Sequence, residues 1–264
     1  MVEPPRPNRY RAIIERIFLD RWTTGATEFE FGRDDIVKTA AALGVDLPKN
    51  LGDVIYSLRY RDELPDSILT TEPPGQSWSI EGAGRAVYRF KLAPTTKIAP
   101  NPSLATIPIP DATPQLIVKH AFDDEQALLA IVRYNRLIDI FVGLTTYSLQ
   151  NHLRTSVRGI GQIEIDELYV GIDKRGGHYV IPVQAKGGSD EIGSVQAKQD
   201  IAFAAERFPD LRCRAIAAQF MPGRIVALFE LAVQDDAVKV IEERHYKLVP
   251  ASDVDAATVR RSHD

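Results

Sequence analysis

Asp166 precedes the tripeptide Gln184-Ala185-Lys186 by eighteen residues, and together they offer a carboxylate, an amide oxygen and an ammonium group. Residues 162–172 and 178–186 are strand-like, and Asp173-Lys174-Arg175-Gly176-Gly177 between them has turn composition. The segment therefore predicts an antiparallel hairpin. Side chains alternate between faces along a strand. Glu164 and Asp166 then share one face of the first strand, away from Ile163 and Ile165. Gln184 and Lys186 share one face of the second, away from Val183 and Ala185. A hard divalent cation takes oxygen ligands, mostly carboxylate, and keeps waters that can attack phosphorus. A lysine beside it orients that water or stabilises the charge that grows on a phosphate in the transition state. In such chemistry Asp166 would hold the metal beside the scissile phosphate. Gln184 and the Ala185 main-chain carbonyl add neutral oxygens, and Lys186 is the catalytic cation. Glu164 is a further candidate ligand.

An exposed ion pair among Asp166, Glu164 and Lys186 on a polar sheet face would give the same pattern. Three features favour a site. Residues 179–183 are apolar apart from Pro182, so a lysine closing that strand needs a reason. Gly187-Gly188-Ser189 leaves room for a phosphate, and a segment that reads independently as a DNA-binding domain precedes it in the chain.

Asp166 followed by Gln184-Ala185-Lys186 resembles the PD-(D/E)xK nuclease superfamily, in the branch with glutamine for the second carboxylate, as in Mrr-like restriction enzymes. The surrounding order is similar too: a helix, antiparallel strands, a crossover helix over 192–208, then strands over 211–221 and 224–233. The resemblance spans roughly residues 120–250. It implies an α/β (α+β) domain with a mixed sheet flanked by helices. It also implies Mg²⁺, or Mn²⁺, as cofactor, and hydrolysis of phosphodiester bonds in double-stranded DNA by an endonuclease of a restriction or phage-defence system. Two residues depart from the pattern. Ile165 stands where proline is common, and Gln184 removes a negative charge, which weakens metal binding unless Glu164 or Glu167 compensates. Superfamily members often carry another acid on the first helix; here the matching region has Gln150 and Asn151, with Glu125 much earlier. Gln196 and Gln199 lie on the crossover helix, where some related nucleases place a glutamine near the metal, although two solvated helix polars explain them as well.

Other elements must position these groups. Apolar residues from Leu128 to Leu144 predict a helical region that starts near Asp123, breaks around 143–146 and resumes through 147–154. Further upstream, Ile13, Ile14, Ile17 and Phe18 predict a helix and residues 28–31 a strand. Asp34 reads as the cap of a helix ending at Gly44. Leu51, Val54, Ile55 and Leu58 mark a helix over 50–61. A hairpin follows, with strands over 77–81 and 85–92 and its tip at Gly82-Ala83-Gly84. That order resembles a winged helix-turn-helix domain. Arg85, Arg89 and Lys91 share one strand face with no acid among them, which suits phosphate contacts, while Ser57, Tyr60 and Arg61 point outward to read bases. A solvated face balanced by neighbouring acids is the plainer account of the three cations.

The prolines of 93–115 predict a semi-extended linker, dividing the chain into a winged-helix-like DNA-binding domain (1–92) and a nuclease-like catalytic domain (116–264). Among 264 residues, 32 Lys and Arg face 36 Asp and Glu, a net charge of −4, so contact with DNA must rest on local patches. A single cysteine excludes a disulfide framework and a multi-cysteine zinc site, and no two of the five histidines have i, i+4 spacing. No apolar run is long enough to span a membrane and the first residues lack a signal peptide's apolar centre, so a cytoplasmic protein is expected. Cutting both strands calls for a homodimer, at least on DNA. Two other functions fit the residues: a DNA-binding regulator whose nuclease-like domain is inactive because of Gln184, and a repair or junction nuclease guided by DNA shape.

Overall fold

The computed structural model describes residues 9–49, 51, 54–55, 64–94, 98–120, 125–187, 192–235, 237–254 and 260. The chain divides into two units, Met1–Thr95 with Ser156–Gln162, and Thr96–Thr155 with Ile163–Asp264. In the first, helix α1 (Arg9–Arg21) turns Ile13, Ile14, Ile17 and Phe18 into the interior. Strand β1 (Glu28–Gly32) leads directly into α2 (Arg33–Leu43), and α3 (Asp66–Leu69) precedes β2 (Gln76–Gly84) and β3 (Val87–Pro94). The sheet order is β1-β3-β2, antiparallel throughout. Aromatic rings fill this core: the Phe18 ring lies 5.0 Å from that of Phe90 and 5.2 Å from that of Trp78.

The structure departs from two local expectations. Gly32, not Asp34, is the N-cap of α2, because β1 runs into the helix without a loop; Asp35 reaches back to accept the Gly32 N–H at 2.6 Å. Gly44 does end the helix, at a left-handed φ of 65° that glycine adopts without a Cβ clash. The hairpin turns at Arg85-Ala86, and Gly82 and Gly84 stay in β2. Pairing of β1 with β3 reaches Gly32↔Val87, and the Arg33 N–H donates to the Ala86 carbonyl, so the turn is anchored there. Val54 and Ile55 are buried as their stripe requires. Leu58, Ser57, Tyr60 and Arg61 lie outside the described residues.

The second unit is built on one mixed sheet, apart from the last two residues of β5 and the first two of β6, which fall in the first unit: β4 (Thr106–Pro110), β5 (Thr145–Val157), β6 (Gly161–Ile172), β7 (His178–Lys186), β8 (Arg212–Cys213), β9 (Ala215–Met221), β10 (Ile225–Gln234) and β11 (Ala237–Val249). Its order is β4-β11-β10-β9-β7-β6-β5, with β8 beside β7. Helices α4 (Gln115–His120), α5 (Glu125–Tyr134) and α6 (Leu137–Val142) precede β5, and α7 (Ser194–Arg207) carries the chain from β7 to the parallel strand β9. Residues 147–154 belong to strand β5 instead of a resumed helix. Gly143, left-handed at φ 66°, stops α6, and the β-branched Thr145, Thr146, Thr155 and Val157 favour extended backbone beyond it. Within the proline-rich stretch 93–115, residues 106–110 form the edge strand β4, parallel to β11. An edge is where Pro108 and Pro110, which lack an N–H, are tolerated.

The two faces of the sheet carry different cores. Leu128, Val132, Ile138 and Phe141 of α5 and α6 pack with Ile181, Val183, Ala185, Ile216 and Ala218. Ala197 of α7 packs with Ala215, Ala217, Ala227 and Phe229. Strand alternation thus sends Val183 and Ala185 to the first face and their neighbours Gln184 and Lys186 to the α7 face. Among the described residues no helix is long and apolar enough to cross a membrane.

Phe90 is fully buried among the rings of the first unit, so Phe90→Ala should cost about 3–5 kcal/mol of that unit's stability. Both tryptophans of the chain, Trp22 and Trp78, pack in this core. Urea unfolding followed by their fluorescence reads the loss directly, and an unchanged midpoint would contradict the packing described.

Candidate functional site

Strands β6 and β7 pair from Ile172↔His178 to Glu167↔Val183, and the ladder stops there. On its other edge β7 pairs with β9 from Val183↔Ile216 to Lys186↔Gln219. The Ala185 N–H, one step past the end of the β6 ladder, needs an acceptor. Asp166 supplies it: its Oδ2 accepts that N–H at 2.8 Å. A side-chain carboxylate thereby replaces a ladder bond where the strands part, next to Gln184 and Lys186. In an extended strand the N–H and C=O of one residue leave on the same edge, so the Ala185 carbonyl leaves on the Asp166 side.

Gln184 is buried, 4 % exposed. Its Nε2 donates to the Glu164 carbonyl at 3.1 Å and to Asp200 Oδ2 at 2.9 Å. Its Oε1 has no hydrogen-bond partner among the described residues, and neither has Asp200 Oδ1. Burial pushes the Asp200 carboxyl well above the usual carboxylate range; the Gln184 amide opposes the shift and the Asp166 charge adds to it. Lys186 is half-buried at the end of β7. Together with Gln196, Ala197 and Gly193, these side chains line a cavity of about 10 Å³, close to the space one water occupies. Asp166, Gln184, Lys186 and Asp200 thus gather at one end of β7 beneath α7.

Residue spacing alone does not single out Asp200. Its signal was an acid on the buried stripe of α7, with Ala197, Phe203 and Ala204 around it, an unusual place for a carboxylate. Gln196 reaches the cavity, whereas Gln199 is buried without lining it.

The two glutamates that could have offset Gln184 are engaged elsewhere. The Glu164 side chain is held from β5 by Arg154 at 3.2 Å and His152 at 3.6 Å, although its carbonyl orients Gln184. Glu167, fully buried, alternates onto the α5 face, where it pairs with Arg133 at 2.9 Å and accepts the Ser148 hydroxyl at 2.6 Å. Gln150 and Asn151 are exposed on β5, and Glu125 opens α5. Among the described residues no three His, Cys, Asp or Glu side chains gather as a metal-holding group. The donors present are two carboxylates, one amide oxygen and a main-chain carbonyl. That is a hard, all-oxygen set with two buried oxygens open, and it fits a divalent cation such as Mg²⁺ or Mn²⁺.

The basic strand of the first unit is more balanced than its own sequence suggested. Register places Glu30 opposite Arg89 and Glu28 opposite Lys91. Arg89 pairs with Glu30 at 2.7 Å and Glu28 at 3.5 Å, and these acids raise its pKa, Glu30 most. Arg85 sits exposed in the turn, outside the alternation of β3.

No protein-family model, curated protein or solved structure matches the chain.

Removing one partner of a buried ion pair leaves the other charge uncompensated. Arg133 is itself more than a third exposed, so Arg133→Leu should cost about 1–3 kcal/mol in chemical denaturation by stranding Glu167, and adding Glu167→Gln should recover most of the loss. A single variant as stable as wild type would contradict the pairing.

Proposed function

We propose that the chain is a metal-dependent endodeoxyribonuclease of the PD-(D/E)xK type, serving restriction or phage defence, with a winged-helix first unit that brings it to double-stranded DNA. One observation carries this reading: the Asp166 carboxylate is locked against the Ala185 N–H beside Gln184, whose amide oxygen is buried and open. The order α1, β1, α2, then the β2–β3 hairpin, with β3 between β1 and β2, supports a winged helix. The mixed sheet, antiparallel at β6–β7 and parallel at β7–β9 across α7, supports the catalytic domain.

Asp166, Gln184 Oε1 and the Ala185 carbonyl would hold Mg²⁺ or Mn²⁺. When bound, such a cation neutralises charge on the scissile phosphate and makes water a stronger nucleophile. The chain's own groups do the rest. Lys186 brings an ammonium with three donors to the same face as Gln184, where it orients the attacking water and stabilises negative charge as it grows on phosphorus. In the first unit, Arg85 and Lys91 would contact phosphates, and Arg89 would do so by exchanging its glutamate partners for phosphate. Each site cuts one strand, so cleavage of both needs two copies on the duplex.

A DNA-binding regulator with an inactive nuclease-like unit is the second reading, favoured by the amide at 184 where a carboxylate would bind metal more strongly.

Full-length protein with supercoiled plasmid and Mg²⁺ tests the proposal. Wild type should nick the plasmid. Asp166→Ala and Lys186→Ala should each slow nicking by about 10²-fold or more while shifting the DNA in gels as wild type does. Wild type that binds phage, plasmid and methylated DNA yet cuts none of them would favour the regulator. Cutting confined to branched DNA would favour a junction nuclease.

A further inference from the structure

Gln184 leaves the proposed cation site one negative charge short, and Asp200 stands one hydrogen bond away. Both N–H groups of the Gln184 amide are committed, one to the Glu164 carbonyl and one to Asp200 Oδ2. Reversing the amide would aim its oxygen at two acceptors, so the orientation is locked with Oε1 facing away from both. The two oxygens left without partners, Gln184 Oε1 and Asp200 Oδ1, each share a carbon with an atom of that same hydrogen bond. Both residues are more than nine-tenths buried and both line the cavity with Lys186. Buried polar atoms are rarely left unsatisfied, and two open oxygens on one bonded pair, beside the cavity and near the Asp166 carboxylate, are placed to receive a cation.

We infer that Asp200 is a ligand of this cation, supplying from α7 the carboxylate that the β7 strand lacks and holding the Gln184 amide so that its oxygen joins the same ion. The inference rests on the metal-dependent reading and names the acid that reading needs. The donor set becomes Asp166, Gln184 and Asp200, two carboxyl groups and an amide oxygen, with the Ala185 carbonyl beside them. Its all-oxygen chemistry selects a hard divalent cation.

Mn²⁺ binding to the full chain, read by calorimetry and by the loss of the free-ion electron paramagnetic resonance signal, tests this without reference to cleavage. Asp200→Asn keeps an acceptor for Gln184 but removes the charge. It should weaken Mn²⁺ binding by about 10- to 100-fold and leave the cation-free protein at least as heat-stable as wild type, because a buried carboxylate is gone. A purely structural Asp200 would give the reverse, lower heat stability with unchanged binding. Combining Asp200→Asn with Gln184→Glu moves the acid to the strand and should restore binding. Asp200→Ser, with the same expected loss of binding, serves if the asparagine variant does not fold. Wild-type affinity in Asp200→Asn, with binding abolished in Asp166→Ala, would overturn the role of Asp200 and leave the nuclease reading standing. A wild-type chain that takes up no Mn²⁺ or Mg²⁺ would overturn both.

Discussion

The bond from the Ala185 N–H to the Asp166 carboxylate closes a gap that the sheet cannot close by itself. Strand β7 serves two neighbours, β6 antiparallel and β9 parallel, and its ladder with β6 ends at Val183. Past that point a backbone donor would be stranded, at a cost of about 1–3 kcal/mol. A carboxylate one residue beyond the last β6 pair is the right length to reach it. The same bond fixes the Asp166 carboxylate at the end of the ladder, so strand geometry and the placement of that acid are one constraint.

Alternation along β7 turns that constraint into a site. Val183 and Ala185 are held among the side chains of α5 and α6, which forces Gln184 and Lys186 to the opposite face, under α7. A polar side chain there must find partners or remain costly, and Gln184 finds two for its nitrogen and none among the described residues for its oxygen. The neighbouring acid, Glu167, is spent on Arg133 and Ser148 across the sheet. Because Glu167 is odd-numbered along β6 and Asp166 even, no rotamer brings both to one cation. A second carboxylate at the β7 end therefore comes from another element: α7, packed over it, brings Asp200 to Gln184.

Much of this was readable from residue order. The hairpin and its turn follow from period-two patterning flanking a glycine pair, and β7 runs over His178–Lys186, the bounds its composition suggested. Strand β5 resembles a continued helix in sequence because its run of Ser, Leu, Gln, Asn and His has no decisive period, and only Gly143 and the β-branched residues at each end mark the change. Asp200 was invisible as a partner of Gln184 because α7 carries the chain back across the sheet, a tertiary fact that spacing does not encode. Likewise Arg89 has no acid near it along β3; its glutamates come from β1, nearly sixty residues earlier, through strand register. Side-chain faces, then, are local properties, whereas partners across strands and helices belong to the fold.

An anomalous difference map from a crystal of the full chain soaked in Mn²⁺ measures the central claim most directly. A peak at about 2.1 Å from oxygens of Asp166 and Gln184, with Lys186 at the same cavity, is the expected result. An intact Asp166–Ala185 contact with no peak beside it, or manganese bound only elsewhere on the molecule, would contradict the account.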